Sequence, residues 1–252
     1  MLIALLVSCN NHKTESSDQE GQKDEPVLSI KEVEPDEELS VQADQENPGS
    51  VTINLPDERS QMESGQDREV SFMFNKGTTA YENDDFVNGV EIFENIIEKD
   101  PDNRKAYYNL GVGYNELGRY HDAIKAYSNA IAISPRDSMS IQSRGRVYYL
   151  LGDFKNCMMD YEKVLQMKPD DAIAWYNRGT VKGQLKDYLG ALQDFNKSIE
   201  LDPNYAEAYF NRGLANHLQG RTHDACYDWR KAHSLGHYES EKALRQYCED
   251  GE

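Results

Sequence analysis

The sequence predicts an all-α chain of stacked antiparallel helix pairs, preceded by a long acidic segment without fixed structure. Three observations carry that expectation. Prolines recur at Pro101, Pro135, Pro169 and Pro203, 34 residues apart. Small residues recur with them, at Gly77, Gly111, Gly145, Gly179 and Gly213 and again at Gly89, Ala123, Cys157, Ala191 and Ala225. Between residues 10 and 65 there are 15 acidic and four basic side chains, which supply −11 of the net charge of −18 over 252 residues.

The period has a physical meaning. A prolyl ring lacks the N–H and clashes with the preceding turn, so each proline ends a helix. Two helices approach closely only where side chains are small, and bulky neighbours then fill the space beside the contact. Tyr107, Trp175 and Tyr209 do so in the first helix of each pair, and Phe93, Tyr127, Tyr161, Phe195 and Trp229 in the second. A single pair cannot bury its own apolar face, so pairs must stack. Five units follow, at 70–103, 104–137, 138–171, 172–205 and 206–239, the fifth with His237 in place of proline. The third is divergent: Ile141-Gln-Ser-Arg-Gly replaces the aromatic run of its neighbours. Residues 240–248 are expected to form a short capping helix presenting Ala243, Leu244 and Tyr247, ahead of a tail to 252. Terminal repeats need such a cover for solubility.

Trp175, Gly179, Ala191, Phe195 and Pro203 fall where a tetratricopeptide repeat places its large, small and helix-ending residues, and the 34-residue period matches. The chain therefore resembles tetratricopeptide-repeat proteins from residue 69 to 239. The resemblance implies a superhelix, an α-solenoid, with the first helices along its concave wall. It places Phe74, Tyr108, Gln142, Tyr176 and Phe210 on that wall, then Asn75, Asn109, Asn177 and Asn211. Further along come Val112, Arg146, Thr180 and Leu214, then Asn115, Tyr149 and His217. Such a groove suits an extended peptide or a partner helix, since amides donate and accept and aromatic faces take apolar side chains. The asparagine ladder resembles the peptide-gripping wall of O-GlcNAc transferase repeats, although it also fits a repeat signature with no ligand. The carboxylate clamp of heat-shock co-chaperones would need several cations here, and Arg146 stands alone among these positions.

One pairing follows from comparing the units. Arg144, Arg178 and Arg212 precede the first-helix glycine in units three to five, where Asp160, Asp194 and Asp228 precede the second-helix aromatic. Units one and two have neither, with Lys76 and Leu110, Ile92 and Ala126 at those places. Arginine and aspartate present or absent together predict three interhelical ion pairs with charge-assisted hydrogen bonds.

At the amino terminus, Leu6-Val7-Ser8-Cys9 ends an apolar run. It resembles a bacterial lipobox, in which Cys9 would carry the lipid. Residues 1–8 then read as a partial signal peptide. No basic residue precedes Cys9 and the apolar run is short, so upstream residues are expected before Met1. Residues 9–68 read as an acidic tether with too little apolar surface to fold, spanning about 45 Å on the flexible-chain rule. The expected protein is a lipid-anchored envelope scaffold for a protein or peptide partner. Asn10 after Cys9 favours the outer membrane by analogy with enteric sorting. The alternative is a soluble cytosolic adaptor or co-chaperone.

Several classes are set aside. Lysine and arginine form no basic stripe for nucleic acid, and no catalytic motif or phosphate-cradling loop occurs. No cofactor is expected. His217, His223, Cys226, His233, His237 and Cys248 crowd the last unit at spacings that match no familiar metal-ligand set. Cys157 and Cys226 lie inside expected helices as small apolar residues, and no disulfide framework is expected.

Overall fold

The computed structural model describes residues 65–248. Cys9, the partial signal peptide and nearly all of the acidic tether lie outside the described residues. Within them run the helices α1 (Gly65–Glu82), α2 (Phe86–Lys99), α3 (Arg104–Glu116), α4 (Tyr120–Ile133), α5 (Ser138–Leu150) and α6 (Phe154–Met167). They continue as α7 (Ala172–Gln184), α8 (Tyr188–Leu201), α9 (Ala206–Leu218), α10 (Thr222–Ser234) and α11 (Glu239–Tyr247). Each helix packs on the next in the chain, and first helices also touch across repeats, α3 against α5 and α7 against α9. The architecture is an all-helical solenoid, with α1–α2 through α9–α10 as the pairs and α11 closing the carboxyl end.

Local chemistry sets the boundaries. Side chains of Asp85, Asn103, Asp153, Asp171 and Asp187 each accept a hydrogen bond from the backbone N–H three residues on, satisfying a donor that the helix start leaves free. The turns inside repeats two, three and five pass through glycines with positive φ, Gly118, Gly152 and Gly220, a region that side chains disfavour. In repeats one and four the equivalent left-handed residues are Asp84 and Lys186. Helix α1 starts at Gly65, so residues 65–68, expected as tether, are helical instead. Asp67 lies in the first turn, where the helix dipole favours negative charge, and Glu69 reaches Lys99 of α2 at 3.1 Å.

The core runs along the stack. Phe93, Ile96, Ala106 and Leu110 join the first repeats, Ile141, Val164 and Ala174 the middle, and Phe195, Ala208, Phe210 and Trp229 the last. A Cβ added at Gly111 would stand 2.4 Å from the buried Tyr127 ring, so that helix approach requires glycine. At Gly145 the nearest atom is 3.3 Å away. No helix among the described residues is long and apolar enough to cross a membrane.

Candidate protein-binding surface

Three arginine forks brace the stack. Arg144 donates through Nε and Nη2 to Asp160 at 2.9 and 2.7 Å, Arg178 to Asp194 at 2.8 and 2.8 Å, and Arg212 to Asp228 at 3.0 and 2.5 Å. All three carboxylates are buried. The guanidinium does more than join two helices of one repeat. Arg144 Nη1 donates to Ser128 at 2.9 Å and Arg212 Nη1 to Asn196 at 2.8 Å, both on the second helix of the preceding repeat. Glu162, 34 residues from each, acts electrostatically on Arg178, whose pKa is held up first by the hydrogen bond to Asp194. The planes also stack, with Arg178 4.6 Å over Trp175 and Arg212 5.2 Å over Tyr209. These arginines are engaged in structure and are not free for a ligand.

The expected wall divides into two parts. Asn75 is exposed, and Phe74, Tyr108, Asn109, Val112, Asn115, Gln142, Arg146 and Asn177 are half-buried. Asn109 donates its amide to the Lys105 carbonyl at 2.8 Å. The remainder is committed to packing. Asn211 is buried and donates to Tyr176 Oη at 3.0 Å, while Thr180 donates to the Tyr176 carbonyl at 3.0 Å. Tyr149 accepts from Gln184 at 3.0 Å. Phe210 lies under His237 at 4.3 Å between centroids, Leu214 is buried, and His217 packs 4.3 Å from Tyr247. Asn211, Tyr176, Thr180, Phe210, Leu214 and His217 are therefore found in packing contacts. The reasons are local: Asn211 is tied to Tyr176 and Thr180 between α9 and α7, whereas Phe210, Leu214 and His217 meet the segment that carries α11.

Two residues absent from the expected set stand open on the same helix faces. Met139 is 57% exposed, one turn before Gln142 and two before Arg146 on α5, and Ile173 is 54% exposed, one turn before Asn177 on α7. A search for exposed apolar residues at the first turn of each first helix would have found them.

The cysteines give the second correction. Cys226 is no apolar filler; it is disulfide-bonded to Cys248, with Cα atoms 5.8 Å apart, joining α10 to the end of α11. Val90, Ile124, Met158 and Leu192 occupy the equivalent place in the other repeats. That column points at the next first helix, as the contact of Val90 with the Gly113 position shows. Because α11 takes the place of a sixth first helix, the same column in repeat five meets Cys248. The signal was a cysteine in a column of large apolar residues. The disulfide and the packing of His217 and His237 also account for four of the six side chains that suggested a metal, and His223 and His233 are exposed. No cluster of three or more His, Cys, Asp or Glu able to hold an ion occurs among the described residues.

Helical pairs, notched contacts and the 34-residue step give the described residues the fold of a tetratricopeptide-repeat solenoid. Tetratricopeptide-repeat family models match residues 105–137 and 140–171, and a TPR repeat model matches 183–220. No curated protein matches the sequence. Among solved structures, MamA is 20% identical over 68% of this chain and 97% of its own, with a TM-score of 0.59. MamA 41-end from Desulfovibrio magneticus RS-1 is 17% identical over 72% and 97%, with a TM-score of 0.62. YrrB, described as a TPR protein with an unusual peptide-binding site, is 17% identical over 72% and 98%, with a TM-score of 0.59. At these identities the likeness speaks for the fold alone.

Proposed function

We propose that this chain is a lipid-anchored scaffold of a bacterial envelope complex, holding a partner polypeptide along the first helices of repeats one to four. The observation that carries the binding role is the open face of α5 and α7, where Met139 and Ile173 lie beside Gln142, Arg146 and Asn177. Apolar anchors next to amides and one cation suit an extended chain with alternating apolar and polar or acidic side chains. The likeness to YrrB supports a peptide as occupant.

Two features support the envelope. Leu6-Val7-Ser8-Cys9 has the small residue and thiol that lipid attachment needs. The Cys226–Cys248 disulfide suits an oxidising compartment, whereas cytosolic proteins of mesophiles keep such pairs reduced. That same disulfide weighs against the cytosolic adaptor. An outer-membrane address follows only from Asn10 after Cys9.

Pulldown from the native host tests the binding role. The triple variant Met139→Asp, Arg146→Glu, Ile173→Asp should lose the partners that wild type recovers at least tenfold, with its helical spectrum unchanged. Equal recovery would reject the wall. Mass spectrometry of the amino-terminal peptide should find acylated Cys9, and an unmodified cysteine there would remove the anchor.

A further inference from the structure

The arginine forks are absent from repeats one and two, and in repeat two a cleft lies in their place. In repeats three and five the guanidinium bridges its own second helix and the second helix before it, and in repeat four it pairs with its own second helix and feels Glu162 of the one before. In repeat two the arginine position is Leu110 and the aspartate position is Ala126, both buried. The structure has a cleft of about 230 Å³ at this place, floored by Leu110 and Ala126.

The rest of the guanidinium's surroundings are kept. Tyr107 lines the cleft at the position where Trp175 and Tyr209 lie under Arg178 and Arg212. Glu94 lines it at the position where Ser128 and Asn196 accept from Arg144 and Arg212. Tyr114 closes one side and donates its hydroxyl to Glu94. At the rim, Arg119 pairs with Asp122 at 2.8 Å and covers Tyr114 at 4.4 Å, and Lys125 and Asn129 complete the lining. The cleft thus keeps an aromatic face and a carboxylate acceptor, and lacks the arginine that fills the place elsewhere and the aspartate that pairs with it.

We propose that this cleft of repeat two receives an arginine side chain of the partner polypeptide. The plane would lie on Tyr107, with its edge donating to Glu94 and its methylene stem on Leu110 and Ala126. A planar cation fits where an ammonium does not, because stacking and forked donation need the guanidinium plane. The inference rests on the scaffold role but not on the face formed by α5 and α7, since the cleft lies among α2, α3 and α4.

Titration of the full chain with N-acetyl-arginine amide, followed through the tyrosine resonances, tests it. Tyr107 and Tyr114 should shift saturably in the millimolar range. N-acetyl-lysine amide should bind at least fivefold more weakly, and free guanidinium ion should compete. The double variant Leu110→Arg, Ala126→Asp rebuilds the internal fork and should abolish the shift. Glu94→Gln, which needs no repacking, should weaken binding at least fivefold. No saturable shift in wild type, an undiminished shift in the rebuilt variant, or equal affinity for the lysine amide would each overturn the assignment. The titration needs no partner, so a failure of the scaffold role appears in the pulldown and leaves the titration unaltered.

Discussion

At the scale of single residues, the forks decide how the repeats hold together. Asp160 is buried and accepts two hydrogen bonds from Arg144, whose side chain is 20% exposed. Removing only the carboxylate strands a half-buried cation. Asp160→Ala should therefore cost about 3 kcal/mol in urea unfolding, the low end for breaking a buried pair. The chain itself supplies the comparison, because repeat two packs Leu110 and Ala126 at the same two places. Arg144→Leu combined with Asp160→Ala should recover at least half of that loss, and a double variant no better than the single would show the cost came from packing. The Arg and Asp columns stand out in the sequence because both occur in three units. The third leg, to Ser128 or Asn196, did not, since it crosses to the preceding repeat at a position whose residue type varies. Exposure was the least legible property: Asn177 and Asn211 sit in one column, yet one is half-buried and the other buried.

At the scale of elements, α11 shows what periodicity tells and what it omits. A short helix presenting Ala243, Leu244 and Tyr247 is readable from spacing, and these three pack on the last repeat. Its hinge is not readable that way. His237 stands where the other repeats have proline, stacks on Phe210 and pairs through Nδ1 with Ser240 Oγ at 3.0 Å. Burial lowers its pKa from 6.5, against the opposing pull of Glu239 on its own segment and Glu207 of α9. Tyr238 and Phe210 complete its surroundings and carry no charge at neutral pH. A depressed pKa means the unfolded chain takes up the proton before the folded one does. Stability from this site is thus intact above about pH 6.5 and falls as pH drops from there through the folded-state pKa. Melting temperature measured from pH 8 to pH 5 should decline more steeply for wild type than for His237→Gln. Parallel curves would assign the decline to other groups.

At the scale of the whole stack, each pair touches mainly its neighbours, so stability is close to a sum of repeats and interfaces, and the ends fray first. The carboxyl end has no sixth pair to lean on. It has a nine-residue helix, too short to persist alone in water, and the Cys226–Cys248 bond across 22 residues. Closing a loop of this size removes about 3 kcal/mol of unfolded-state entropy. Because the bond joins only α10 and α11, its loss should act locally. Hydrogen exchange of the reduced protein, or of Cys248→Ser, should show protection in α10 and α11 falling about a hundredfold, with α9 less affected and α3 to α6 unchanged. A uniform loss along all repeats would mean the chain unfolds as one cooperative unit, and the end would then have no separate lock. No loss at all would leave the packing of Tyr247 on His217 and Trp229 as sufficient to hold the cap. Cys157 provides the internal control, since it is buried, forms no disulfide and should behave identically under both conditions.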